Sequence, residues 1–321
     1  MIVYRRGSKG REVIKIQRAL QQLGLYLGPI DGDFGGGTES AVRRFQRARG
    51  LLVDGRVGPE TWRALFGEEI PEPSIYKESL AYRSLALTGL FETGELPPEC
   101  FAGLTGDFDG QGLSFGALQW NFGQGSLPPL ILRMNERYPD LLADVFGEHY
   151  GILLQVLSLD REEQLAWARS IQDYRFRLYQ PWRGYFKTLG RLSEFQAIQV
   201  ETASELFAAA SRLAADFDLW SERAVALMFD IKVQNGGIPS LVEVIIRQDF
   251  AELDKDLPPE ALEVEKMRVV AHRRAEASRP RWVEDVHRRK LTIAEGRGVV
   301  HGLPVDLDRD FGLKLAPVYP D

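Results

Sequence analysis

Two loops near the start of the chain repeat one pattern, and nothing else in the sequence restricts the fold as much. Asp31-Gly32-Asp33-Phe34-Gly35-Gly36-Gly37-Thr38 is echoed by Asp54-Gly55-Arg56-Val57-Gly58-Pro59-Glu60-Thr61. In each copy Asp-Gly asks for a tight turn with positive φ at glycine. One apolar residue, Phe34 or Val57, then plugs a core, and a glycine leads into a helix. Pro59 suits a first helical position, where its missing N–H costs nothing. Ahead of the first loop, Val13, Ile16, Leu20 and Leu23 recur at three- and four-residue steps, one face of a helix ending near Gly24. Val42 and Phe45 supply the inward face after the first loop; Trp62, Leu65 and Phe66 supply it after the second. Residues 1–67 are therefore expected to form a small three-helix domain.

The segments GSKGREVIKIQRALQQLG, DGDFGGGTESAVRRFQ and DGRVGPETWRAL carry a resemblance to the peptidoglycan-binding domain of the three-helix type. That resemblance covers nearly all of residues 1–67 and implies a module that docks onto bacterial cell wall, with the turns around Asp31 and Asp54 as the candidate contact. Charge is divided in a way that fits. Residues 1–67 hold 12 Lys+Arg against 6 Asp+Glu, whereas the remainder holds 28 against 40, so a +6 module precedes a −12 body. A cationic front suggests an anionic or cell-surface target for that part alone. Nucleic acid is not expected, because the basic module has no interleaved aromatic platform.

With 321 residues the chain is comfortable for two domains. No apolar run reaches the roughly 18 residues of a spanning helix. MIVYRRGSKG shows no apolar stretch of signal-peptide length. The expectation is a soluble monomer that reaches the wall by phage-holin release or a dedicated secretion machine. Residues 68–75, with two prolines and a run of glutamates, read as a short stiff linker. From residue 76 to 321 helical patterns dominate. Leu80, Leu87, Leu90 and Phe91 lie on a helix stopping at Thr93-Gly94, with Pro97 and Pro98 beyond. Further helices are expected at about 127–137, 140–158, 161–173, 181–189, 193–214, 218–234, 239–249, 259–278 and 280–294, with 112–122 the one strand-like stretch. The segment 221–235 is apolar nearly all round and should be buried, with Asp230 and Lys232 at a helix end or in a satisfied interior pair. The arginine-rich 268–290 reads as a solvated or domain-bracing helix.

Chemistry is narrowed by elimination. His149, His272, His287 and His301 show no H-E-x-x-H or similar spacing, which argues against a zinc amidase. Cys100 stands alone and reads as a small buried apolar residue. No phosphate loop is present, and no cofactor is called for. Carboxylates remain. Hydrolysis of a glycosidic bond needs one carboxyl protonated to serve the leaving oxygen and a second ionised on the other face of the sugar. Glu92 follows Leu90 and Phe91, apolar neighbours that favour a protonated acid. Asp109 lies in a glycine-rich turn that favours the charged form.

FETG, DGQGLSFG and the helix ending FDIKVQNGG together resemble the chitosanases of glycoside hydrolase family 46, within the lysozyme-like superfamily. The resemblance implies a mainly α fold: the three-helix wall-binding domain followed by a two-lobed, mostly helical α+β catalytic domain. It also implies Glu92 as acid, Asp109 as base and Ser114 in place of the threonine that helps hold the attacking water. The reaction would invert the anomeric centre, which needs carboxyls roughly 6.5–9.5 Å apart. Gln111 stands where the family motif has arginine, so Asp107 is a rival for the base. Phe115, Gln119, Trp120, Asn121 and Gln124 offer ring faces and amides for a sugar groove, although Phe115 and Trp120 serve equally well as core. The expected activity is cleavage of peptidoglycan glycan strands. The alternatives are a chitosanase and a wall-binding structural protein without activity.

Overall fold

The computed structural model describes residues 3–8, 10–71 and 74–318. The chain divides into two compact units, Met1–Ser79 and Leu80–Asp321. It is mainly α, with two small antiparallel sheets. Among the described residues no helix is long and apolar enough to cross a membrane.

The first unit packs α1 (Arg11–Gln22), α2 (Gly36–Ala48) and α3 (Pro59–Phe66) around Ile16, Leu20, Phe34, Phe45, Val57 and Trp62. Phe34 and Val57 are the buried plugs expected of the two loops, and Gly32 and Gly55 take φ of 73° and 75°. Leu23 is the exception to the expected inward face. It caps α1 and lies half exposed, because the helix has already ended at Gln22.

Each loop is held by one buried glutamine. Gln17 Nε2 donates to Asp31 Oδ1 (2.8 Å) and to the Asp33 carbonyl (3.0 Å), while Gln17 Oε1 accepts the Gly32 N–H (2.9 Å). Gln46 does the same to Asp54 Oδ1 (2.8 Å), the Arg56 carbonyl (2.8 Å) and the Gly55 N–H (2.9 Å). A primary amide has donors and an acceptor on one planar head, so a single side chain satisfies both edges of a buried turn. Partial burial works against ionisation of Asp54, but the Arg56 N–H and the Gln46 amide hold its carboxyl below the usual range. Of the expected linker, residues 72 and 73 lie outside the described residues. Ser74–Lys77 forms a 3-10 turn whose first N–H is taken by Glu12 (2.8 Å).

The second unit opens with α4 (Leu80–Thr93), followed by a three-stranded meander, β1 (Leu104–Thr105), β2 (Ser114–Phe115) and β3 (Trp120–Asn121). Then come α5 (Pro128–Arg137), α6 (Pro139–Phe146), α7 (Tyr150–Ser158), α8 (Arg161–Ser170), α9 (Trp182–Arg191) and α10 (Ser193–Thr202). The chain returns through α11 (Ser204–Asp216), α12 (Glu222–Asn235), α13 (Ser240–Glu252), α14 (Pro259–Glu276) and α15 (Val283–Glu295). It closes with the hairpin β4 (Arg297–Val300) and β5 (Leu303–Asp306) and with α16 (Leu307–Phe311).

This unit has two apolar cores. One surrounds α4 and α12, both buried on nearly every side; the other lies among α5 to α10 and takes in Phe115 from β2. The meander thus rests on the second core, and α4 runs from the first core to the meander's edge. The expected helix 140–158 is two helices parted at Gly147, whose φ of 52° ends α6. The expected 193–214 breaks at Ala203. The hairpin at 297–306 was not expected, because Pro304 hides a strand, although His301-Gly302 at positive φ makes the tight turn it needs.

Candidate active site

Glu92 sits in the last turn of α4, with 30% of its side chain exposed. Its expected apolar setting is absent: Arg289 of α15 donates from Nη1 to Glu92 Oε1 at 2.9 Å. The second arm of the same guanidinium donates to Asp230 Oδ1 on α12 at 2.6 Å, and its plane lies 4.9 Å over Phe91. Asp230 is fully buried. It also accepts from Thr88 (3.2 Å) and is paired with the buried Lys290. Lys290 reaches Gln234 Oε1 at 2.6 Å, and Gln234 in turn donates to Asp285 (2.9 Å), whose other oxygen meets His301 at 2.6 Å.

The energetics of this cluster follow from burial and pairing. Burial alone would push the Asp230 carboxyl up, but Arg289 and Lys290 together bring it down to about 2. Burial pushes Lys290 down to about 8, against the pull of Asp230. Burial also disfavours the Arg289 cation, yet Asp230 and Glu92 outweigh it and raise the guanidinium above its ordinary value. Asp230 is thus the satisfied interior group foreseen for it. Arg289 and Lys290 were expected only on a solvated or domain-bracing helix, not within this cluster. The spacing Val286, Arg289, Lys290, Ile293, Ala294 was the signal missed, since steps of three and four put both cations on the buried face.

Asp107 and Asp109 lie in the loop joining β1 to β2, and the loop treats them differently. Asp107 keeps only 12% of its side chain exposed, accepts the Gly112 N–H at 2.6 Å and is bridged by Arg169 Nε at 2.7 Å. Its own N–H donates to Gln172 Oε1 at 2.9 Å. Asp109 is exposed and accepts the Gln111 N–H at 3.1 Å, two residues on. One aspartate is therefore part of the loop's frame, and the other is open to solvent. Gly106, just before them, has no room for a side chain: a Cβ there would stand 2.0 Å from the Phe176 carbonyl oxygen and 2.3 Å from Gln172 Oε1.

The meander brings the other expected residues to different fates. Ser114 is buried in β2, with Thr105 on one side and Asn121 on the other. Phe115 points the opposite way, into the second core, 5.3 Å from Phe186 and 5.6 Å from Phe195. It cannot stack on a sugar, and strand alternation is the reason. Trp120 is half buried against the same core. Asn121 is buried and accepts the Gln124 N–H at 2.7 Å, which closes the turn that leaves Gln124 exposed. Gln119 takes a φ of 54°, accepts from the Thr105 hydroxyl at 2.7 Å and donates to the Gly116 carbonyl at 2.8 Å. A Cβ on Gly103 would stand 2.2 Å from Thr93 Cγ2 and 3.1 Å from Gln119 Nε2, so Gln119 lies against the α4 end that carries Glu92. Cys100 is fully buried, and burial pushes its thiol up, away from thiolate chemistry.

In the first unit a cavity of about 540 Å³ opens beside the first repeated loop, lined by Tyr26, Leu27, Pro29, Asp31, Ser40 and Arg44 among others. Leu27 stands almost fully exposed there.

Residues 9–65, within the first unit, match the family described as putative peptidoglycan binding domain. The chain is 48% identical over 59 residues to a spore cortex-lytic enzyme of Bacillus cereus, a stretch covering 18% of this chain and 23% of that one. It is 47% identical over 57 residues to the N-acetylmuramoyl-L-alanine amidase CwlM of Mycobacterium tuberculosis, covering 18% of this chain and 14% of that one. The chain thus spans a quarter or less of the length of these curated relatives. Among solved structures it is similar to a native chitosanase from Bacillus subtilis MY002, at 14% identity and a TM-score of 0.41, covering 68% of this chain and 87% of that one.

Proposed function

We propose that the chain is a cell-wall-lytic glycoside hydrolase that cleaves the β-1,4 glycan strands of peptidoglycan by inverting acid–base hydrolysis. Residues 1–67 hold it on the wall, residues 68–75 form the linker, and residues 76–321 carry the chemistry. The observation that carries this reading is the unequal holding of two carboxyls: Glu92 in a charge cluster at the end of a buried helix, Asp109 open on a glycine-rich loop. The formal charges of Glu92, Arg289, Asp230 and Lys290 cancel, and only Glu92 among them has a substantially exposed side chain. Glu92 is therefore the carboxyl of the cluster that a substrate can reach, as a general acid requires. Arg289 orients that carboxyl; Asp230 and Lys290 orient Arg289. Asp109 suits the base because, among the described residues, one backbone N–H holds it, whereas Asp107 is committed to Gly112 and Arg169. Ser114, Gln119, Trp120 and Gln124 remain candidates for the water and the sugar.

The match at residues 9–65 supports the wall as target, and the cavity beside Asp31 is the site we assign to wall contact in the first unit. A second reading, a chitosanase, has the body's net charge of −12 in its favour, since that field attracts a cationic glycan. One assay separates them: incubation with purified peptidoglycan and with chitosan, followed by mass spectrometry of the new reducing ends. Muramic-acid or N-acetylglucosamine ends from the wall support the first reading and glucosamine ends from chitosan the second. No cleavage of either leaves a wall-binding protein without hydrolase activity.

A further inference from the structure

Three large aromatic side chains stand in solvent next to the candidate base, and the fold goes to some length to keep them there. Phe108, between Asp107 and Asp109, is 71% exposed; Tyr174 is 81% and Phe176 40% exposed. Tyr174 and Phe176 occupy the tip of a loop after α8, and Phe108 meets Phe176 edge to face at 5.1 Å. That tip is pinned. Asp173 accepts the N–H groups of Arg175 (2.8 Å) and Arg177 (3.0 Å) and is bridged by the Arg177 side chain, which together hold its carboxyl below the usual range. At its base, Gln172 takes the Asp107 N–H and donates to the Gly112 carbonyl (3.3 Å), and Gly106 packs directly under the Phe176 carbonyl. The aromatic tip and the loop carrying Asp109 therefore form one rigid body.

Rings presented rigidly to water are suited to stacking on the apolar faces of sugar rings. Arg175, also exposed, lies 5.2 Å over the Tyr174 ring and adds positive charge to the same surface. We infer that Phe108, Tyr174 and Phe176 form a stacking subsite for the glycan strand beside Asp109, and that Arg175 favours strands bearing carboxylates over cationic ones. This rests on the glycosidase reading and sharpens it: the subsite fits the N-acetylated, carboxylate-bearing strand of peptidoglycan better than chitosan, although the body's overall charge points the other way.

The test compares the full-length protein with Tyr174→Ala, Phe108→Ala and Arg175→Gln, all exposed positions whose replacement leaves the cores untouched. Steady-state kinetics on soluble peptidoglycan fragments should show KM raised about five- to tenfold for each ring deletion, with kcat little changed for Tyr174→Ala. Arg175→Gln should raise KM on intact fragments and not on fragments whose carboxyls have been reduced. Unchanged KM in both ring variants, with an active parent, overturns the subsite and leaves the hydrolase reading standing. An inactive parent overturns the hydrolase reading. The subsite is then judged by calorimetric titration with the same fragments, and equal affinity of parent and Tyr174→Ala overturns it. Loss of binding to anionic lipid vesicles in Tyr174→Ala, with glycan binding intact, overturns it in favour of a membrane contact.

Discussion

At the scale of single residues, Asp230 is the one on which the position of Glu92 depends. Its carboxylate faces two buried cations, so Asp230→Asn leaves Arg289 and Lys290 without their shared counter-charge. Breaking a buried pair in this way costs about 3–5 kcal/mol, because the desolvated charge remains while its partner is gone. Chemical denaturation should record that loss, and activity should fall with it as Arg289 releases Glu92. The pH dependence has a definite sign. Asp230 is held down to about 2, below the roughly 3.9 of an unfolded aspartate. Its contribution is therefore complete above about pH 4 and lost as pH falls toward about 2, on the order of 2 kcal/mol. Urea curves for parent and Asp230→Asn should converge as the solution is acidified through that window; curves that keep a constant separation would show that Asp230 does not titrate there. Gly106 is the second sensitive residue. Gly106→Ala forces a methyl against the Phe176 carbonyl, an atom of the backbone that cannot turn aside. About 2 kcal/mol or more of destabilisation is expected, with the loop of Asp107 and Asp109 displaced and activity lost.

Elements show why part of this was readable and part was not. The two loops of the first unit were legible because Asp-Gly, a plug residue and a following helix are local signals. Their clamps were not, since Gln17 lies 14 residues before Asp31 and Gln46 only 8 before Asp54, and no shared spacing marks them. The prediction that follows is symmetrical: Gln17→Leu and Gln46→Leu should each unfold the first unit, because a buried turn loses its partners and unsatisfied groups cost about 1–3 kcal/mol each. Wall sedimentation should fail in both variants while hydrolysis of soluble fragments persists. In the body, α12 was legible as buried because its segment is apolar nearly all round. On α15 the arginines masked a helical stripe, and composition overrode periodicity. Phe115 was left open between groove and core for a different reason. A two-residue strand offers no alternation to read, so only the fold reveals which of Ser114 and Phe115 faces the core. The same limit hid the aromatic tip at 174–176, which becomes a platform only when Gly106 and Gln172 bring it beside Phe108.

For the whole molecule, the division into two compact units of opposite net charge gives each a separate physical task. The first unit is small, so its core is marginal by size, and it should melt in its own transition below that of the body. Calorimetry of the full chain should resolve two endotherms, with Gln17→Leu removing one and leaving the other in place; a single endotherm in the parent would show that the units unfold together. Salt separates the tasks further. Attraction between residues 1–67, with their net charge of +6, and an anionic wall is screened within about 8 Å at physiological ionic strength and more tightly as salt rises. Charge cancels within the Glu92 cluster, and its cations are buried, which shields them from ions in solution. Raising salt should therefore release the protein from intact walls and slow their lysis, while turnover of short uncharged fragments stays nearly constant. If both activities fell in parallel, the charge of the first unit would not be what places the enzyme on its substrate, and contact through the cavity beside Asp31 would have to be mainly apolar, through Leu27 and Pro29.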